Sequence, residues 1–319
     1  MGRDAFRPGQ PAPRRVDAED TFCLLGGTLA NAYWVEALAS KSTLGVVYRA
    51  IELTSRLPVA IRCLDVPATL DVQGRSQLAR SLVRETLVSH RLALPSQAIT
   101  RILDVASARS PCREWFPYVV RDWFDGESLR AFGDRQRLTL GKLGSILELL
   151  EPVAFALARA HELRLAHAAL TSESILVIPT ATGMRTQLLD FGVASALAES
   201  PRLLAALGPD FSFQLSDPRY AAPEQFDSRY GAVGPWTDVF SFGLILSELL
   251  SGRQALDGVS PLELTIAAAN PQRRPTPRKL GVEVSDRVEA TFLRALAPEP
   301  LARFPSLRPF WSALCAERT

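Results

Sequence analysis

The stretch whose reading decides the fold is Ala166-His167-Ala168-Ala169-Leu170-Thr171-Ser172-Glu173-Ser174-Ile175-Leu176-Val177. Before it, from Leu140 to Arg164, the residues Leu143, Ile146, Leu147, Leu150, Val153 and Leu157 recur at helical spacing, the pattern of a buried helix. The stretch itself closes on a short apolar strand, Ile175-Leu176-Val177. A second strand, Thr186-Gln187-Leu188-Leu189, leads into Asp190-Phe191-Gly192, and Ala222-Pro223-Glu224 follows after a long segment.

Composition narrows the classes around this frame. The chain has 319 residues, 47% hydrophobic and 22% charged, as in a soluble globular protein of one large or two small domains. A net charge of +2, with no basic stripe interleaved with aromatics, argues against a nucleic-acid partner. Only Lys41, Lys142 and Lys279 are lysines, so few are available for chemistry. Cys23, Cys63, Cys112 and Cys315 form no C-x-x-C pair, which argues against a metal site or disulfide framework and for a reducing cytoplasm. No apolar run is long enough to span a membrane. Met1-Gly2 lacks the Ser or Thr that myristoylation needs, since Phe6 stands there, and no secretory signal is visible. The opening residues (Pro8, Pro11, Pro13, Arg14 and Arg15 among them) read as a flexible tail over 1–26.

The order of these landmarks resembles the catalytic loop, metal loop and activation-segment end of a bacterial Hanks-type Ser/Thr protein kinase. Further landmarks agree. Ser40-Lys41-Ser42-Thr43-Leu44-Gly45-Val46-Val47 is similar to the glycine-rich loop, with Gly45 kept. Val59-Ala60-Ile61-Arg62 resembles V-A-I-K, with Arg62 at the lysine. Glu85 lies on the helix expected over Ser76–Ala93, which Pro95 would end. Pro117–Phe124 matches the strand and hinge between two lobes, and Pro298–Pro305 the last-lobe signature. The resemblance implies an α+β bilobal fold: a β-rich small lobe over about 27–122, a hinge at about 122–125, and a mainly helical lobe over 126–319.

It also assigns roles. In the family the catalytic loop reads H-R-D-L-K-P-x-N; here Ala168 replaces the arginine, Ala169 the base, Thr171 the lysine and Ser174 a metal ligand. Asp217 replaces a threonine that bonds to that cluster. The nucleotide pocket implied by the resemblance comprises Ser40, Ser42, Gly45, Val47, Ala60, Arg62, Glu85, Arg121, Asp122, Phe124, Leu176 and Asp190. Arg62 is expected to pair with Glu85 as a strut, and Arg121 to find Glu85 or Asp190, because an unpaired buried charge is costly. His167 is expected to be a core residue against Phe191, with Gly192 permitting the turn, Asp238 to tie the catalytic-loop backbone, and Arg303 to pair with Glu224. Asp190-Phe191-Gly192 fits either structure alone or metal binding.

These departures lead to the expectation of a pseudokinase, not an enzyme: a regulatory or scaffolding module whose partners are proteins, such as an active kinase or signalling complex. No cofactor would be required, and ATP with Mg²⁺ would rest on Asp190. The alternative is a nucleotide-binding switch or an atypical phospho- or nucleotidyl-transferase using Asp190 and Lys41.

Overall fold

The computed structural model describes residues 20–96, 98–136, 142–208 and 215–317. Most of the expected tail (residues 1–19) and Leu140 lie outside them. Alternating, β-branched segments build a six-stranded antiparallel sheet in the order β1-β2-β3-β4-β6-β5. Its strands are β1 (Thr28–Leu29), β2 (Tyr33–Ser42), β3 (Gly45–Glu52), β4 (Pro58–Cys63), β5 (Ile102–Ser110) and β6 (Arg113–Asp122). Period-two alternation gives the sheet two apolar faces. Val35, Tyr48, Ile61, Cys63, Phe116 and Val120 form the outer one. The inner face adds Val119 to a cluster with Leu78 and Leu82, both on helix α1 (Val72–Ser96).

Two boundaries differ from the sequence reading. Helix α1 begins at Val72 because Asp71 accepts from the Gly74 amide at 2.7 Å, an N-cap contact, and it continues through Pro95 to Ser96. Residues 20–26 do not belong to the flexible tail expected over 1–26. Phe22 is fully buried with its ring 4.8 Å from Phe116, and Asp20 accepts from the Leu24 and Leu25 amides. Burial of these apolar side chains fixes residues 20–26 over the outer face.

The larger lobe opens with β7 (Glu127–Ser128), which joins β8 (Ile175–Thr180) and β9 (Gly183–Leu188) in a three-stranded sheet. Its helices are α2 (Leu129–Arg135), α3 (Leu143–Glu162), α4 (Val193–Ala198), α5 (Pro201–Leu207), α6 (Pro235–Ser251), α7 (Pro261–Ala269), α8 (Asp286–Ala295) and α9 (Leu307–Cys315). Helix α6 is apolar nearly all round and runs through the core, so it packs against neighbours on every side. It stops at Gly252, whose φ of 63° is the left-handed conformation glycine adopts without penalty.

The expectation of no disulfide is also corrected: Cys23 and Cys112 are bonded, with Cα atoms 5.8 Å apart. Their separation in sequence leaves no local motif to read. No helix among the described residues is long and apolar enough to cross a membrane.

Candidate functional site

The cleft between the lobes is organised by Asp190. It sits after β9 with φ 57°, a left-handed conformation that is strained for a non-glycine residue and accumulates at functional sites. Arg62 reaches down from β4 and donates from Nη2 to Asp190 Oδ2 at 2.6 Å, while its Nη1 donates to Ser42 Oγ at 2.9 Å. Arg121, on β6, holds its Nε 3.5 Å from Asp190 Oδ1, an ion pair without a hydrogen bond. Ala60 pairs with Arg121 and Arg62 with Val119, so both guanidinium side chains leave one face of the sheet as diagonal neighbours. All three residues are buried.

Two cations thus share one carboxylate away from water. Burial pushes the Asp190 carboxyl up, but Arg121 and then Arg62 outweigh it and hold the group at about 2. Burial lowers Arg121, Asp190 opposes this, and Arg62 lowers it further. The expected Arg62–Glu85 strut is corrected: Arg62 is committed to Ser42 and Asp190. Glu85, on α1, is buried and raised by that burial, with no ion pair among the described residues. A Cβ on Gly192 would come within 2.9 Å of its Oε2, the end of a side chain that can shift, so it is the turn, with φ 85°, that calls for glycine at 192.

The other pocket residues frame this cluster. Ser40, Lys41 and Ser42 are exposed at the end of β2, opposite Val47, Val46 and Gly45. Gly45 has φ 119°, and a Cβ there would lie 2.1 Å from the Cys63 carbonyl oxygen; its glycine serves the approach of β4. Val47 and Ala60 are buried in the sheet, while Leu176 is half-buried on β8. At the hinge, Asp122 pairs with Arg101 at 3.3 Å, and Arg185 lies over the Phe124 ring at 5.6 Å.

The catalytic-loop stretch is self-satisfied. Thr171 Oγ1 accepts from the Ser174 amide at 3.1 Å and Ser174 Oγ accepts from the Thr171 amide at 3.0 Å, a reciprocal cap that turns both side chains onto the loop. His167 packs edge-on against Phe191, its Nε2 is 2.8 Å from the Leu189 carbonyl, and its Nδ1 accepts from the Ala169 amide. Both ring nitrogens thus serve the backbone around the loop. Asp238 accepts from the His167 and Ala168 amides at 2.7 and 2.9 Å and lies 2.9 Å from His161 Nε2, which pins Ala168 at φ 61°. Glu224 and Arg303 form a fully buried bidentate pair at 2.8 and 2.9 Å. Asp217 turns aside to Arg219.

The chain after Gly192 fills the mouth of the cleft. Val193, Ala196 and Leu197 of α4 and Leu203 of α5 pack with Leu44, Leu64, Val66, Leu78 and Leu82, and Ala169 lies against this cluster. Helix α5 covers the Leu203–Leu207 segment read as a short helix; Ser200 caps it. The sequence reading missed a polar network beneath the catalytic loop. Tyr220 Oη donates to Glu248 at 2.7 Å, lies 2.7 Å from Ser172 Oγ, and accepts from Arg130 at 3.1 Å. Its members come from four distant segments, with Tyr220's place before Ala222-Pro223-Glu224 as their only signal.

In this arrangement the residues do not fit magnesium with a nucleotide. Both Asp190 oxygens face guanidinium groups, and Ser174 Oγ is held by the Thr171 backbone.

Two lobes joined at a hinge, a buried Asp-Phe-Gly turn and the Glu224–Arg303 pair place this chain in the protein kinase family, whose domain matches residues 41–310. Among bacterial relatives, it is 24% identical over 295 residues to serine/threonine-protein kinase PknA of Mycobacterium tuberculosis, covering 92% of this chain and 63% of that protein. Serine/threonine-protein kinase pkn3 of Myxococcus xanthus is 26% identical over 302 residues, covering 93% of this chain and 52% of that protein. The PknI kinase domain of Mycobacterium tuberculosis superposes with a TM-score of 0.63 at 23% identity, over 93% of this chain and all of that one. The chain therefore spans less than two thirds of the curated relatives named here. These findings correct the expectation that the chain is not an enzyme: the family is an enzyme family and the relatives are named as serine/threonine-protein kinases.

Proposed function

We propose that this kinase domain works as a regulatory or scaffolding binding module in bacterial signalling, with protein partners and a cytoplasmic setting. The observation that carries the reading is the buried Arg62–Asp190–Arg121 cluster. It occupies the metal-loop carboxylate with the chain's own cations, which a magnesium–nucleotide complex would have to displace. The loop cap at Thr171 and Ser174 and the apolar surroundings of Ala169 support it, because neither directs a charged group into the cleft. The nucleotide-pocket and structural roles given above to individual side chains belong to the same proposal, as does the division into lobes near 122–125.

A second reading, a nucleotide-dependent switch or transferase using Asp190 and Lys41, is favoured by two observations. Asp190-Phe191-Gly192 keeps a left-handed turn with an ionised carboxylate, and the relatives named above are kinases. Thermal unfolding with and without millimolar ATP and Mg²⁺ separates the two. Ligand at a hundred times its dissociation constant adds about 2.7 kcal/mol, a shift of several degrees. The module reading expects no shift in the wild type. A shift abolished in Asp190→Asn, measured against that variant's own baseline, would overturn it in favour of the second.

A further inference from the structure

Cys23 and Cys112 lie 89 residues apart and meet as a disulfide on the outer face of the small lobe. The Cα separation of 5.8 Å is ordinary for such a bond. Cys112, at the turn between β5 and β6, is exposed, and Cys23 is half-buried, so small thiols and disulfides can reach the pair. The other cysteines lie elsewhere. Cys63 is buried within the sheet and Cys315 ends α9 in the larger lobe.

The loop that the bond closes contains β1 to β4, α1 and β5, which is nearly the whole small lobe and includes Arg62 and Glu85. Closing a loop of this length removes much of the conformational freedom of the unfolded lobe. The Cys23 segment also has anchors that do not depend on the bond. Asp20 accepts from two backbone amides and from Tyr48 Oη at 2.7 Å, and Phe22 is fully buried beside Phe116. Opening the bond therefore leaves both sulfurs close together and able to rejoin. In the cytoplasmic setting proposed above, on which this inference rests, disulfides are usually transient and catalytic or redox-sensing.

We propose that Cys23 and Cys112 are a reversible redox site, exchanging with a small disulfide of the glutathione class, and that oxidation raises the stability of the lobe carrying Arg62 and Arg121. The thiolate of Cys112 attacks one sulfur of the small disulfide, forming a mixed disulfide and releasing one small thiol. The Cys23 thiolate then attacks the Cys112 sulfur, forming the protein disulfide and releasing the second small thiol. The two cysteines lose two protons and two electrons, and the small disulfide gains both.

The test equilibrates the whole chain in glutathione mixtures of different oxidised-to-reduced ratio, quenches with acid, alkylates, and maps the linked peptides. Thermal unfolding is then followed with and without reductant for the wild type and for Cys112→Ser. The expected result is a Cys23–Cys112 peptide that appears and disappears with the ratio. The wild type should lose at least about 5 °C on reduction, and Cys112→Ser should be insensitive to it. Three outcomes would overturn the proposal: cysteines that stay reduced in excess oxidised glutathione, a bond that millimolar reduced glutathione leaves intact, or equal losses in the wild type and the variant.

Discussion

Replacing Arg121 by methionine tests the charge arithmetic of the cleft. At 3.5 Å and an effective dielectric near 20, the attraction between Arg121 and Asp190 is about 5 kcal/mol. Against it stand several kcal/mol for dehydrating a buried guanidinium and repulsion from Arg62, and Arg121 makes no hydrogen bond at Nε. These terms nearly cancel, so Arg121→Met should leave stability within about 1 kcal/mol of the wild type or raise it. Arg62→Met should cost about 2–4 kcal/mol, because it leaves Asp190 and Ser42 without their hydrogen-bonded donor. Asp190→Asn should cost about 3–5 kcal/mol, since two buried cations then face no anion. For a chain of this size each kcal/mol moves the melting temperature by about 2–4 °C. Urea unfolding of the singles and of the Arg62/Arg121 double variant measures all of this in one cycle. A loss above about 2 kcal/mol for Arg121→Met would refute the view that Arg121 is the surplus charge.

Three further outcomes follow from the same geometry. The Asp190 carboxyl is depressed from 3.8 to about 2, so its contribution is fully present above about pH 4 and is lost as pH falls towards 2; unfolding free energies across that window should decline by about 2 kcal/mol more in the wild type than in Asp190→Asn. Ala169→Asp places a carboxylate against the apolar seam made by Val193, Ala196 and Leu203 and should destabilise by about 1–3 kcal/mol in urea unfolding, whereas Ala169→Ser should be milder. Glu224→Gln strands the fully buried Arg303 guanidinium and should cost about 3–5 kcal/mol, readable as a large drop in melting temperature.

Legibility in the sequence followed the reach of each interaction. Arg303–Glu224, the Asp238 contacts and the His167–Phe191 packing were readable because each belongs to a landmark whose partner is another landmark. The partner of Arg62 was not. The resemblance offered Glu85 as the partner, but the fork from β4 goes to Asp190 and Ser42. The Thr171–Ser174 cap was visible as spacing, yet the resemblance drew attention to what those positions lack rather than to what they give each other. The tail boundary failed at Phe22 and Leu24, two apolar residues at the edge of a polar run whose burial depends on a sheet built later in the chain. The same distance in sequence hid the Cys23–Cys112 bond and the Tyr220 network.

The shared carboxylate has a mechanical meaning. Arg62 and Arg121 stand on neighbouring strands of one lobe and grip, from two directions, an atom pair rooted in the other. A single contact lets the lobes pivot about its own axis; a second contact to the same carboxylate narrows that freedom. Moving the small lobe away from Asp190 must lengthen both contacts, so the two arginines act together against separation of the lobes. Loosening either brace should change how far the lobes sway, even where the free energy of folding hardly changes.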